Sequence, residues 1–146
     1  MRGDRPGEPI RWRMHIGATP EQVFAALDSD EGRAAFWAET ATETDSIIDF
    51  RFINGYEHKS KILRREPPGV FEIAYFGGAV RFELACDGDG GTDLLLTHDY
   101  SDIESWGEVH AGWLNVLFPL KAWLQHGIDL RNHDRQRSWN EGYADQ

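Results

Sequence analysis

The stretch from Val80 to Leu124, VRFELACDGDGGTDLLLTHDYSDIESWGEVHAGWLNVLFPLKAWL, changes its repeat halfway along. Up to Tyr100 the period is two. Val80, Phe82, Leu84 and Cys86 alternate with Arg81 and Glu83, and Leu94, Leu96, His98 and Tyr100 resume the pattern after a turn rich in Gly and Asp. Such alternation marks strands with one apolar face. Beyond Tyr100 the spacing becomes helical, with Val109, Trp113, Val116, Leu117, Leu120 and Leu124 on one stripe. Ser101-x-x-Glu104 fits a capping box, so a helix is expected from about Ser105 to Leu130. Pro119 inside it removes a hydrogen bond and is expected to bend it.

Working upstream, the period-two pattern continues. Phe71, Ile73 and Tyr75 lie between Pro67-Pro68-Gly69 and Gly77-Gly78. His58, Ser60 and Ile62 alternate with Lys59 and Lys61, and Asn54-Gly55 supplies a tight turn after Ile48, Phe50 and Phe52. At the start, Ile10, Trp12, Met14 and Ile16 share one face of a strand. Thr19-Pro20-Glu21-Gln22 then opens a short helix, with Thr19 as cap and Gln22 reaching back. A second helix follows Asp28-Ser29-Asp30 and runs through Phe36-Trp37.

Strands joined by short turns read as an antiparallel meander. A curved sheet with one apolar face must cover it, and the final helix is the cover on offer. The expectation is an α+β helix-grip fold: a curved antiparallel sheet wrapped around a long C-terminal helix, with two short helices after the first strand. Its bounds are residues 10–131, between a flexible tail of residues 1–9 and a polar tail of residues 132–146.

The 146 residues suit one domain, with 40% hydrophobic residues and six Trp and eight Phe for its core. The net charge of -10 argues against nucleic acid or an anionic membrane surface as partner. No run reaches the length needed to span a bilayer, and the polar start has no signal-peptide character. Cys86 is the only cysteine, which makes a reducing, cytoplasmic setting the expectation and a buried, inert thiol the simplest role. Arg2-Gly3-Asp4 is read as a chance tripeptide.

Alternation carries polar side chains onto the same face as the core. If Phe50, Phe71, Phe82 and Leu94 point inward, then His58, Ser60, Tyr75, Cys86, His98 and Tyr100 do too. Polar groups there need partners or a wet cavity. The candidate ligand-binding residues are Phe50, Phe52, His58, Ser60, Tyr75, Phe82, His98, Tyr100, Trp113 and Leu117, apolar walls with a few polar groups between sheet and helix. The imidazoles and phenols suit a ligand carrying hydroxyls or carbonyls, or could move protons on a substrate. No metal site or cofactor is expected. The histidines lack partners at ligand spacing, Asp87-Gly-Asp-Gly-Gly-Thr-Asp93 reads as a hairpin turn, and the Gly pairs join strands where a phosphate loop would open a helix.

Several strings also resemble a known superfamily. Ala18-Thr-Pro-Glu-Gln-Val-Phe24 is similar to its first-helix signature, and Phe36-Trp37 to its second-helix aromatic. Thr92-Asp-Leu-Leu-Leu96 resembles its last strand; Gly112-Trp113, Leu117, Leu120-Lys121 and Leu124 to Gly127 resemble its closing helix. Together they resemble the START-like, or birch-pollen-allergen-like (SRPBCC), superfamily over about Ile10 to Leu130. Within it they resemble the bacterial group related to the C-terminal domain of the heat-shock protein 90 ATPase activator. The resemblance implies a cavity for a hydrophobic small molecule and transfers no catalytic residue. Its members include lipid carriers, polyketide aromatase/cyclases and chaperone regulators, so fold alone does not select an activity. Binding of a hydrophobic or aromatic small molecule, without catalysis, is the leading expectation. A polyketide cyclase-type enzyme and a chaperone ATPase regulator are the alternatives, and a homodimer is left open.

Overall fold

The structure is a computed structural model that describes residues 5–146, so Arg2-Gly3-Asp4 lies outside the described residues. Strand β1 (Ile10–Ile16) leads into helices α1 (Pro20–Leu27) and α2 (Asp30–Phe36). Strands β2 (Thr40–Thr44), β3 (Ile47–Arg51), β4 (Glu57–Glu66), β5 (Val70–Tyr75), β6 (Gly78–Cys86) and β7 (Thr92–His98) follow. Helices α3 (Trp106–Gly112) and α4 (Leu114–His126) come next, then two short 3-10 turns at Arg135–Arg137 and Trp139–Glu141. All seven strands form one antiparallel sheet in the order β1-β7-β6-β5-β4-β3-β2. This is the α+β helix-grip architecture expected from the alternating pattern. No helix among the described residues is long and apolar enough to cross a membrane.

The register stacks the core in rows. Trp12 faces Leu96, Leu96 faces Phe82, and Phe82 faces Phe71, so one row of bulky side chains crosses β1, β7, β6 and β5. The next row runs Ile10, His98, Val80 and Ile73. Apart from the half-buried Trp12, these side chains are buried. At the far end Phe50 pairs with His58 and Ile48 with Ser60. The period of two thus carries His98, His58 and Ser60 onto the core face.

Both helix starts read from sequence form as capped helices. Thr19 Oγ1 accepts the Gln22 N–H at 3.2 Å while Gln22 Oε1 accepts the Thr19 N–H at 2.9 Å. Ser29 Oγ accepts the Gly32 N–H at 3.0 Å. Arg33, fully buried, holds three pieces together: it donates to Leu27 O at the end of α1, to Ala41 O in β2 and to Asp30. A buried guanidinium with all its contacts satisfied is tolerable where an unpaired one would not be.

Several local expectations need correction. The alternating pattern begins at Ile48 and gives no strand upstream of Asp45, where β2 lies. β2 pairs with β3 through a two-residue turn, Asp45-Ser46, with φ of 51° and 64°. Positive φ at both positions is the primed hairpin geometry usually filled by Asn-Gly, so Asp-Ser carried no turn signal. The final helix is divided. It breaks at Trp113, where Val116 N–H bonds back to Trp113 O at 3.1 Å in a tighter i to i+3 turn, while α4 runs through Pro119. It ends at His126, because Gly127 adopts the left-handed conformation, φ 64°, that terminates helices. Ser101 does not cap; Asp102 organises the entry by accepting the Glu104 N–H and the Ser105 hydroxyl. Cys86 is exposed at the end of β6, where the strand leaves the core for the Asp87 turn.

The residues after α4 are anchored back onto the domain. Arg131, buried, donates to Ala38 O at 2.8 Å and Ala34 O at 2.7 Å, both near the end of α2. His133 lies between two carboxylates, with Nδ1 2.6 Å from Glu39 Oε1 and Nε2 2.6 Å from Asp129 Oδ2. Carboxylates only accept, so both ring nitrogens donate and the ring is an imidazolium. The hydrogen bond to Asp129 raises the His133 pKa ahead of an opposing desolvation. Desolvation pushes Asp129 upward, but its bonds to Arg131 and His133 prevail and hold it down at about 2.

These shifts fix the sign of a pH effect. Because folding raises the His133 pKa, its contribution is complete below the ordinary histidine value of about 6.5 and fades as pH rises through the folded value. Asp129 contributes fully above the ordinary carboxylate value of about 4 and loses its contribution as pH falls toward its depressed folded pKa. The difference in unfolding temperature between the native chain and His133→Gln should therefore be largest near about pH 5.5 and shrink by about pH 9. A difference independent of pH would remove the ion-pair account.

Candidate functional site

Between the sheet and the α3–α4 junction lies a cavity of about 380 Å³. The rings of Trp37, Phe52, Tyr56, Tyr75, Phe76, Trp113 and Trp139 line it, with His98 among them. Amides of Asn54, Asn115, Asn140 and Gln146, the Glu108 carboxylate, Val109, Gly112 and Val116 complete the lining. Each element contributes through its ordinary geometry. Trp37 caps the end of α2, Tyr75 and Phe76 sit where β5 turns into β6, and Trp113 sits at the break between α3 and α4. Phe76 takes a positive φ of 30°, which β-strand periodicity does not foresee.

The deep wall is a set of touching rings. Trp37 meets Tyr75 at 5.5 Å and Trp113 at 6.0 Å between centroids, both edge-on, and Tyr75 meets Trp113 at 5.3 Å. These separations are those of favourable edge-to-face and tilted pairs. Behind them Phe50 and Phe82 pack on Trp37 at 4.8 Å and 5.7 Å and are fully buried.

The polar groups of this wall are paired with one another. Trp113 Nε1–H donates to His98 Nδ1 at 3.0 Å, and the other ring nitrogen of His98 lies 2.9 Å from Tyr75 O. An indole only donates and a carbonyl only accepts, so His98 is the neutral tautomer with its proton on Nε2. Burial lowers the His98 pKa, in keeping with that assignment. Trp37 Nε1–H donates to Tyr75 Oη at 3.1 Å, and burial raises the Tyr75 phenol well above its ordinary value. At the rim Trp139 Nε1–H donates to Glu108 Oε1 at 3.0 Å, and Asn54 Nδ2 donates to Asn140 Oδ1 at 3.3 Å.

Among the residues singled out from sequence, Phe52, Tyr75, His98 and Trp113 line the cavity. Phe50, Phe82 and Leu117 are fully buried core outside the lining. His58 stands one ring back. It stacks on Phe76 at 4.1 Å and accepts the Phe76 N–H through Nε2 at 3.2 Å, and burial lowers its pKa. Ser60 is fully buried, and its hydroxyl has no hydrogen-bond partner. Tyr100 lies beside His98 at 5.2 Å, its hydroxyl shared with Ser105 Oγ. Sequence reasoning missed Trp37, Phe76, Asn115 and the wall given by Trp139, Asn140 and Gln146. Trp139 was noticeable as a large apolar residue in a polar tail; the others had no periodic signal. Among the described residues no group of three or more His, Cys, Asp or Glu comes together to hold a metal ion.

No protein-family model matches the chain, and no curated protein sequence does. Solved structures do match. The protein SSP2350 from Staphylococcus saprophyticus superposes with a TM-score of 0.74 at 22% identity, over 84% of this chain and 96% of that one. The Aha1 dimer from Colwellia psychrerythraea gives 0.73 at 24% identity, over 82% and 97%. CalU16 from Micromonospora echinospora gives 0.66 at 24%, over 80% and 74%. At these identities the likeness establishes the fold: the chain has the helix-grip architecture shared by Aha1-like and CalU16-like proteins.

Proposed function

We propose that this chain binds a hydrophobic or aromatic small molecule in the cavity between the sheet and the α3–α4 junction, and that it does so without catalysis. The observation that carries the reading is the cavity's makeup: seven Trp, Tyr and Phe rings around about 380 Å³. Apolar walls with a few fixed polar groups are the usual composition of a small-molecule site. A tightly filled core would leave no such space.

The same geometry supports binding over proton transfer. A general base needs a free lone pair within reach of the substrate. The lone pair of His98 Nδ1 is occupied by the Trp113 indole, and its Nε2 proton is occupied by Tyr75 O. The Tyr75 phenol, its pKa raised by burial, is a poor acid. These groups hold the shape of the wall. A homodimer stays open beside this reading, in keeping with the fold likeness to an Aha1 dimer, and the mass in solution would decide it.

Two measurements test this. Gly112 lines the cavity, and a Cβ built there meets nothing within 4 Å, so Gly112→Leu should fold and occupy the space. Titration with an environment-sensitive apolar dye should show saturable binding to the native chain, weakened about tenfold or more by Gly112→Leu, about 1.4 kcal/mol. Unchanged binding would move the site elsewhere. In parallel, Trp113→Phe leaves His98 Nδ1 buried without a donor, and should destabilise the chain by about 1–3 kcal/mol in denaturant unfolding. A neutral result would mean that the His98 ring is not fixed by that bond.

A further inference from the structure

A second apolar hollow, of about 420 Å³, runs along the outer side of α4 beneath the C-terminal residues. Leu114, Phe118 and Pro119 form its helix side, and Leu130 and Ala144 its other side. Of its two charged lining residues, Arg131 is engaged with Ala34 O, Ala38 O and Asp129, and Asp145 Oδ1 accepts from Asn132 Nδ2. Phe118 and Leu130 stay about half exposed, at 51% and 49%. Two residues, Asn115 and Trp139, line both this hollow and the inner cavity. The two spaces are neighbouring chambers with a shared partition.

The partition carries a buried polar group that no side chain or backbone atom among the described residues meets. Asn115 Nδ2 is buried and has no hydrogen-bond partner. A buried donor left unpaired is unfavourable, and a lone pair brought to it recovers that cost. Trp139, the other half of the partition, sits in a short 3-10 turn that ends at Gly142, φ 87°, and its indole N–H bonds to the exposed Glu108 of α3. Its ring and the Asn115 side chain are what the two linings have in common.

We propose that the Trp139 ring swings aside to join the chambers beside the Asn115 amide, and that the ligand spans both. A flat ring system lies in the aromatic inner cavity, a carbonyl oxygen (ketone, ester or amide) takes the Asn115 Nδ2–H at the partition, and an aliphatic arm lies in the outer hollow against Leu114, Phe118 and Leu130. The inference rests on the binding reading above and adds the ligand's chemical class. An anionic group at the junction is disfavoured by Glu108 in the same lining and by the net charge of -10.

The test uses two uncharged fluorescent naphthalene ketones, 6-propionyl-2-dimethylaminonaphthalene and its octanoyl homologue, which share ring and carbonyl and differ only in arm length. The native chain should bind both, the octanoyl probe about tenfold or more tightly, since each buried methylene favours binding. Longer arms adhere better to any apolar surface, so the variants decide. Phe118→Glu, at an exposed position, should abolish the octanoyl advantage and leave the propionyl affinity unchanged. Asn115→Leu should weaken both probes about tenfold and shift their bound emission to the blue, because the carbonyl loses its donor. If the octanoyl advantage survives Phe118→Glu, or Asn115→Leu changes neither affinity nor emission, the two-chamber proposal is wrong while cavity binding stands. If neither probe binds the native chain, both readings fall.

Discussion

The buried bond between the Trp113 indole and His98 Nδ1 ties the closing helices to the sheet at the point where the cavity begins. His98 sits in the middle of the core row formed by Ile10, Val80 and Ile73, so its position is set by strand register. Its second nitrogen holds the end of β5 through Tyr75 O. One imidazole therefore joins β7, β5 and the helix junction, in a setting where any unpaired nitrogen would be costly. The break between α3 and α4 falls at Trp113 and leaves a gap that the surrounding aromatic rings border without filling.

The remaining anchors of α3 and α4 fit that scheme. The His110 ring is sandwiched between Trp12 at 4.4 Å and Trp106 at 4.7 Å, both stacked, and the Trp12 indole donates to His110 O. At the other end Gln125 accepts the Gly17 N–H, and Lys121 donates to His15 O. The helices are thus held at both extremities and in the middle. The contacts of the C-terminal residues with the cavity rim, Trp139 to Glu108 and Asn140 to Asn54, are exposed and easily replaced by water.

The fold was legible because it rests on periodicity. Rows such as Trp12, Leu96, Phe82 and Phe71 follow from alternation and turn spacing, and Thr19-Pro20-Glu21-Gln22 announced its own helix. What escaped was local backbone choice. Asp45-Ser46 adopts a turn that its residue types do not advertise, and Gly127 ends α4 before the apolar residues Ile128 and Leu130. The site was legible only in part, for a related reason. Alternation says which face a side chain takes, and so it gathers His98, Tyr75 and Phe52 with Phe50 and Phe82. It cannot say where helix and sheet diverge, and that divergence separates the cavity-lining Tyr75 from the core-filling Phe82. Nor can any period bring Trp37 from α2 and Trp139 from the C-terminal residues to the same wall.

The order of the sheet leaves β1 and β2 outermost. An open sheet has two borders with unpaired backbone groups, and strands there invite addition of a foreign strand. Here β2 is five residues long, is built as Thr-Ala-Thr-Glu-Thr and joins β3 by the tightest of turns, while β1 carries Arg11, Arg13 and His15 on its outer side. Brevity at one border and positive charge at the other both discourage edge-to-edge pairing. Strand addition at either border is thereby disfavoured, while the helical side leaves Phe118, Trp123 and Ile128 exposed.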